Sequence, residues 1–336
     1  MKTGILLINL GTPGSPSTAD VRRYLREFLN DPRVIDIAPL SRLLLVNLII
    51  VPFRAPKSAK LYQSVWTKEG SPLTVNSLAL KKELQNALGN GYVVALGMRY
   101  QQPSLESALE ELRAARVSKI KIIPLYPQYA SSSTGSTMEK LMRLLQKWEV
   151  VPSIEAVTKF YDHPAFIRAL AAAGKNYDHT QYDHVLFSYH GLPERQILKA
   201  SEHYGGSCKL GECCSAAHAN NQYCYRANCF HTTRLLAEAL GIPKEKYTVC
   251  FQSRLGRDPW IKPYSDHVIA ERAKAGDKKL LVFSPAFTAD CLETIHEIGV
   301  EYDELFREHG GEKVQLVPSL NARPEWVSAL REILSC

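Results

Sequence analysis

Eight short apolar runs punctuate the chain, at residues 5–10, 92–96, 120–123, 154–157, 184–187, 247–251, 279–283 and 314–317. Between many of them the apolar residues recur at three- and four-residue spacing, at 18–29, 104–115, 138–148 and 232–240, as on one face of a helix. Strands alternating with amphipathic helices predict an α/β fold, with parallel sheets flanked by helices on both faces. The pattern also repeats itself. Leu10-Gly11-Thr12-Pro13 after the first run is matched by His190-Gly191-Leu192-Pro193 after the fifth, and Arg99 by Arg254. Pro127-Gln128-Tyr129-Ala130-Ser131 is likewise matched by Pro285-Ala286-Phe287-Thr288-Ala289. These echoes predict two Rossmann-like halves, 1–150 and 151–336, related by duplication, with the active cleft between them. The rival explanation is that strand-turn-helix junctions resemble one another anyway.

The chain has 336 residues, 45% of them hydrophobic, enough for two domains of ordinary size and a sizeable core. Its net charge of +7 suits anionic ligands such as carboxylates, an anionic membrane surface, or simply a solvated basic exterior. The basic residues are spread rather than clustered and no nucleic-acid-binding pattern occurs, so nucleic acid is not expected as a partner. No secretory cleavage pattern follows the N-terminal residues. The longest apolar stretch, 43–53, contains Asn47 and Pro52 and falls short of the roughly 20 residues that span a bilayer; no transmembrane anchor is expected. Flanked by Arg42 and Arg54, it reads either as a buried core helix or as an apolar lip resting on a membrane.

Candidate chemistry sits at the ends of the apolar runs, where parallel sheets bind their ligands. The run 184–187 leads into Ser188-Tyr189-His190-Gly191-Leu192-Pro193, which places a histidine at a strand end just before a Gly-x-Pro turn. That histidine either faces a crevice or merely satisfies a local hydrogen bond. The run 279–283 leads into a helical segment carrying Glu293 and Glu297. Four residues apart, they share a helix face, where like charges repel and raise each other's pKa, unless the face is simply solvated. The Gly11 to Ser17 turn fits neither a dinucleotide fingerprint nor a P-loop, so no nucleotide is expected. The hydroxyl-rich loop 131–136 opens a helix and suits either an anion or an ordinary cap. Cys208, Cys213, Cys214, Cys224 and Cys229 crowd into one stretch. Without a secretory signal a disulfide framework is disfavoured, and metal binding is the better expectation. The spacing matches neither common zinc sites nor plant ferredoxins.

Two of these segments, Ser188 to Pro193 and Asp290-Cys291-Leu292-Glu293-Thr294, resemble signature motifs of the ferrochelatases, which insert ferrous iron into a porphyrin to make haem. Similar blocks follow in family order along nearly the whole chain. They are Ile8-Asn9-Leu10-Gly11-Thr12-Pro13, Gly70-Ser71-Pro72-Leu73, Arg99-Tyr100, Tyr126-Pro127-Gln128-Tyr129 with the serine-rich loop, and Phe251-Gln252-Ser253-Arg254 with Trp260. The resemblance implies a chelatase-like fold and a reaction in which two pyrrole protons leave as Fe²⁺, a substrate, enters. Holding the macrocycle bent lowers the barrier, and a base must sit over the ring. An imidazole suits that task near neutral pH. By resemblance, His190 is the proton acceptor or a ligand of the incoming iron. Glu293, with Glu297 behind it, takes protons or attracts iron, and Arg99, Tyr100, Tyr129, Ser131 and Trp260 line the porphyrin pocket.

The resemblance also implies a membrane-facing lip at about 40–56, peripheral contact with the inner membrane from the cytoplasmic side, and a monomer or homodimer. Cys291 stands where many eukaryotic relatives carry a histidine, which leaves the family's proposed His pair incomplete. Some bacterial ferrochelatases hold a [2Fe-2S] cluster through internal cysteines. By that likeness the insertion at about 205–229 carries one on Cys208, Cys213, Cys214 and Cys224, with Cys229 as a substitute; zinc and free thiols are the rivals. The bacterial look of Val65 to Leu73 favours protoporphyrin IX over coproporphyrin. Other readings are a cobalt chelatase for a related, carboxylate-rich tetrapyrrole and a non-catalytic haem or iron carrier.

Overall fold

The computed structural model describes residues 2–206, 208–254, 256 and 258–335. Among these, all eight apolar runs fold as strands: β1 (Thr3–Asn9), β2 (Tyr92–Met98), β3 (Lys119–Pro124), β4 (Ser153–Ala156), β5 (His184–His190), β6 (Tyr247–Gln252), β7 (Lys279–Phe283) and β8 (Lys313–Leu316). They form two parallel four-stranded sheets, ordered β2-β1-β3-β4 and β6-β5-β7-β8. The second order is the first shifted by four strands, as the echoing motifs predict. Ile5 to Ile8 in β1 and Val185 to Phe187 in β5 are buried, because a strand covered on both faces needs apolar side chains at successive positions.

The covering helices carry their own start signals. Ser17 caps Thr18–Leu29 by accepting the Asp20 N–H, and that helix buries Val21, Tyr24, Leu25 and Leu29 at three- and four-residue spacing. Ser104 caps Leu105–Ala114 in the same way, and Leu105, Ala108, Leu109 and Leu112 fill the core of the first sheet with Leu6, Ile8, Ile120 and Ile122. The Leu10-Gly11-Thr12-Pro13 turn is shaped by packing. Gly11 has φ +105°, and a Cβ there would lie 1.9 Å from the Tyr100 carbonyl oxygen, so only glycine fits.

The chain packs as two units. One comprises the residues up to Tyr126, Ala130–Thr158 and the stretch from Asn321; the other comprises Pro127–Tyr129 and Lys159–Leu320. The terminal helix Pro324–Ser335 therefore belongs with the first sheet, where it packs on the helix Pro72–Leu88. Division at residue 150 had grouped it with the second half. Apolar spacing identifies a covering helix but not the sheet it covers, and here the chain returns.

The apolar stretch 43–53 is longer as a structure than as a run. Pro39–Val65 is one continuous helix of 27 residues, long and apolar enough by length and composition to cross a membrane. The sequence had predicted nothing of that length. Its middle, Leu45–Ile50, is π-helical, and the Val51 N–H bonds to the Val46 carbonyl. Pro52 follows directly and has no N–H for an α-helical bond, a recognised cause of such a distortion. The core-helix alternative fails for the apolar stretch as a whole, where Leu48 is 66% and Phe53 74% exposed. The second half buries Val51, Ala55, Ala59, Tyr62 and Val65.

Candidate active site

His190 closes β5 and is half-buried. Its Nδ1 lies 2.6 Å from the Gly191 carbonyl oxygen. A carbonyl only accepts, so Nδ1 carries the proton in the neutral ring and Nε2 is left as the free base. The next peptide is tightly held. The Gly191 N–H donates to the Gln252 carbonyl at 2.8 Å, and a Cβ on Gly191 would sit 2.8 Å from that oxygen and 3.1 Å from the Trp260 ring. Trp260 and Phe287 flank the imidazole, with ring centroids 6.5 and 6.4 Å away.

Glu293 opens a π-helix, Glu293–Glu301, in which the Tyr302 N–H reaches back to the Glu297 carbonyl. Wide turns of this kind recur at functional sites. The Glu297 carboxylate is heavily engaged. One oxygen accepts from the Ser253 N–H at 2.9 Å and the Tyr302 hydroxyl at 3.0 Å; the other accepts from the Ser253 hydroxyl and from Gln252 Nε2 at 3.3 Å. Ser253 adopts φ +66°, an uncommon conformation for a non-glycine residue, and it aims both donors at Glu297. Burial pushes the Glu297 pKa above the usual carboxylate range. The Ser253 hydrogen bond and the charge of His190 pull it down, and Glu293 adds to the rise. Glu297 is thus set to keep a proton longer than a free carboxyl would. Cys291 is a buried thiol hydrogen-bonded to Glu293. Burial, and then the carboxylate, push its pKa well up, so it offers no second base.

The first unit holds a separate polar cluster. Asp31, between two helices, accepts hydrogen bonds from Ser136 Oγ at 2.5 Å, Arg99 Nη2 at 2.5 Å, Tyr100 Oη at 2.9 Å and the Arg33 N–H at 2.8 Å. Burial raises its pKa, but the hydrogen bonds from Ser136 and Arg33 and the Arg99 charge outweigh it and hold the carboxyl below its ordinary value. Arg99 also donates to the Ser136 hydroxyl at 2.7 Å. Tyr100 departs from the expected pocket wall: it is wholly buried, with its hydroxyl spent on Asp31, and it supports Arg99 from below. In the loop 131–136, Thr134 and Ser136 are buried, while Ser132 and Ser133 are half-exposed. Ser131 stays half-exposed and accepts from Arg33 Nη1 at 2.9 Å.

Tyr129, in the second unit, meets Tyr223 edge-on at 5.2 Å between centroids, and Tyr223 stacks on Tyr204 at 5.4 Å. These tyrosines border the cysteine-rich insertion. Within it the thiols fall into two pairs. Cys208 is hydrogen-bonded to Cys213. Cys214 donates to Cys224, which lowers the Cys224 pKa and raises that of Cys214. Among the described residues no group of three or more His, Cys, Asp or Glu is gathered closely enough to hold a metal ion. Cys229 is completely buried against Tyr225.

His190, Glu293, Glu297 and Trp260 thus share the second unit, while Arg99, Tyr100 and Ser131 lie in the first. The sequence singles out neither Asp31 nor Tyr302; it places Ser136 only in the anion-binding or capping loop 131–136, and Ser253 only in a family-like block, with no role toward Asp31 or Glu297.

Among solved structures, the sirohydrochlorin chelatase SirB of Bacillus subtilis subspecies spizizenii, in complex with cobalt, matches with a TM-score of 0.56 at 12% identity. The match covers 100% of this chain and 94% of that one. SirB from Bacillus subtilis with Fe³⁺ gives a TM-score of 0.52 at 13% identity, covering 100% and 96%. At such identities the likeness defines the fold, that of the chelatases. Sequence goes further. The ferrochelatase family model matches residues 2–335. The ferrochelatase of Legionella pneumophila (strain Lens) is 46% identical over 335 residues, covering 100% of this chain and 99% of that protein. The ferrochelatase of Coxiella burnetii is 45% identical over 338 residues, covering 99% and 93%. The chain belongs to the ferrochelatase family, metal-chelating lyases of haem biosynthesis that act on a porphyrin and ferrous iron.

Proposed function

We propose that the porphyrin is protoporphyrin IX and that His190, Glu293 and Glu297 carry the chemistry. The observation that carries this reading is the Nδ1–H bond from His190 to the Gly191 carbonyl. It leaves Nε2 unprotonated at a strand end, able to take a pyrrole proton or to ligate the entering iron without first losing a proton. Glu297 holds and releases the second proton, and the half-exposed Glu293 exchanges protons with water or guides Fe²⁺ inward. Imidazole and carboxylate hold ferrous iron loosely enough to give it up. Trp260 buttresses the imidazole beside the macrocycle, Tyr129 and Ser131 contact the porphyrin edge, and Arg99 and Tyr100 frame the Ser131 loop through Asp31. The exposed apolar face of Pro39–Val65 suits a greasy substrate and a position on the cytoplasmic face of the inner membrane. A carboxylate-rich tetrapyrrole has no use for such a lip. Anaerobic assays with Fe²⁺ and either protoporphyrin or coproporphyrin, followed by loss of porphyrin fluorescence, test this reading. Protoporphyrin turnover should drop by about 100-fold or more in His190→Ala. Failure of the wild type with both porphyrins, or an unimpaired mutant, would sink it.

For the insertion, two thiol pairs suit the two irons of a [2Fe-2S] cluster, each of which takes two thiolates. Cys208 with Cys213 and Cys214 with Cys224 would hold it, and when bound it supplies one-electron redox chemistry and a cross-link within the insertion. Protein purified anaerobically should show the visible absorption and acid-labile sulfide of such a cluster, both lost in Cys224→Ser. A colourless wild type that contains zinc would replace the cluster with a zinc site.

A further inference from the structure

We propose that Tyr225 is a positioning residue for His190, an inference that rests on reading His190 as the reactive base. The peptide plane between His190 and Gly191 is held at both ends. Its N–H donates to the Gln252 carbonyl at 2.8 Å, and its C=O accepts from the Tyr225 hydroxyl at 2.8 Å. That plane fixes where the following carbonyl, of Gly191, points, and the Gly191 carbonyl is what fixes the imidazole through Nδ1. Gly191 has no side chain that packing could grip, so the hydrogen bonds do the holding. Tyr225 is a firm anchor. It is the first residue of the helix Tyr225–Leu240, its ring is buried, and its hydroxyl also lies against the Cys229 thiol. Its chain neighbour is Cys224, where the cysteine-rich insertion rejoins the fold, so the residue steadying the catalytic strand end stands at the foot of that insertion.

Removing the hydroxyl frees one end of the plane. The Gly191 carbonyl then swings, Nδ1 loses its fixed acceptor, and Nε2 is no longer held as the base. Displacement of a catalytic group by about 1 Å costs on the order of 100-fold in rate. Loss of one of several restraints should cost less, about 10-fold. The experiment compares wild type with Tyr225→Phe, which keeps the ring and its packing. Two quantities are read: kcat and KM for iron and porphyrin separately, and the ring nitrogen-15 resonances of His190 in the resting protein. In Tyr225→Phe, kcat should fall about 10-fold with both KM values within about twofold. The single Nδ1–H tautomer of the wild type should give way to a mixture. An unchanged kcat together with an unchanged single tautomer overturns the proposal. Should Tyr225→Phe not fold, the wild type alone decides: one Nδ1–H tautomer supports the clamp and a mixture refutes it. The nitrogen signal is independent of turnover, so a failure of His190 as the catalytic base, seen as an active His190→Ala, is told apart from a failure of the clamp.

Discussion

Asp31 was invisible in the sequence, and the reason is distance along the chain. Its partners Tyr100 and Ser136 lie 69 and 105 residues away, and no periodicity or local motif links them. His190 and Glu293 were legible because each sits inside a short run that resembles a family signature, and Glu297 because it lies four residues from Glu293 on the same helix face, whereas the grip of Ser253 and Tyr302 on Glu297 arises only when the chain folds back. Asp31→Ala should leave the Arg99 guanidinium and the Tyr100 hydroxyl buried without their acceptor. Breaking a buried pair in this way costs about 3–5 kcal/mol, measurable by urea unfolding; a cost within the scatter of surface mutations would show that the cluster adds nothing. The pH dependence has a definite sign. A carboxyl whose folded pKa lies below its ordinary 3.8 contributes stability above that value and loses it as the pH falls through the folded pKa. The stability gap between wild type and Asp31→Asn should therefore be full at neutral pH and close below about pH 4.

The eight strands could be read directly because a parallel strand buried on both faces must be apolar throughout. Helix Pro39–Val65 was harder. Its first half is an apolar run with little polar alternation, and its second half mixes Arg54, Lys57 and Lys60 with a buried face of Ala55, Ala59 and Tyr62. The three- and four-residue spacing of that face was present in the sequence, but Pro52 and Pro56 masked the continuity. Leu40, Leu43, Leu44, Leu48, Ile49 and Phe53 all stand exposed on this one helix, a contiguous apolar surface of the kind that marks an interaction site. The charges inside the helix favour lying on a bilayer over crossing it. Immersing one large apolar side chain gains about 1.5–3 kcal/mol. Leu48→Asp combined with Phe53→Asp should accordingly weaken binding to anionic lipid vesicles by roughly 100-fold or more. The urea midpoint should barely change, since neither residue is in the core. Equal vesicle binding by mutant and wild type would remove the lip.

At the scale of the whole chain, the two sheets share one strand order, and the motif echoes at Gly11 and Gly191 mark the same place in each, directly after a central strand. The return of the last helix breaks that symmetry, and it carries an energetic consequence. Trp326 and Leu330 are wholly buried, with Ile333 and Leu334 nearly so, and Lys121 of β3 donates to the Leu334 carbonyl near the end of the chain. The N-terminal unit is therefore finished by a helix that follows the whole second sheet along the chain, and during synthesis the surface of Pro72–Leu88 stays uncovered until that helix is made. Leu330→Ala should cost about 2–5 kcal/mol, the usual range for a fully buried leucine. The loss should be local to that unit. Hydrogen exchange should speed up in Pro72–Leu88 and in β3, while β5 to β8 keep their protection. If β5 and β7 lost protection equally, the two units would unfold as one and the packing division would have no thermodynamic meaning.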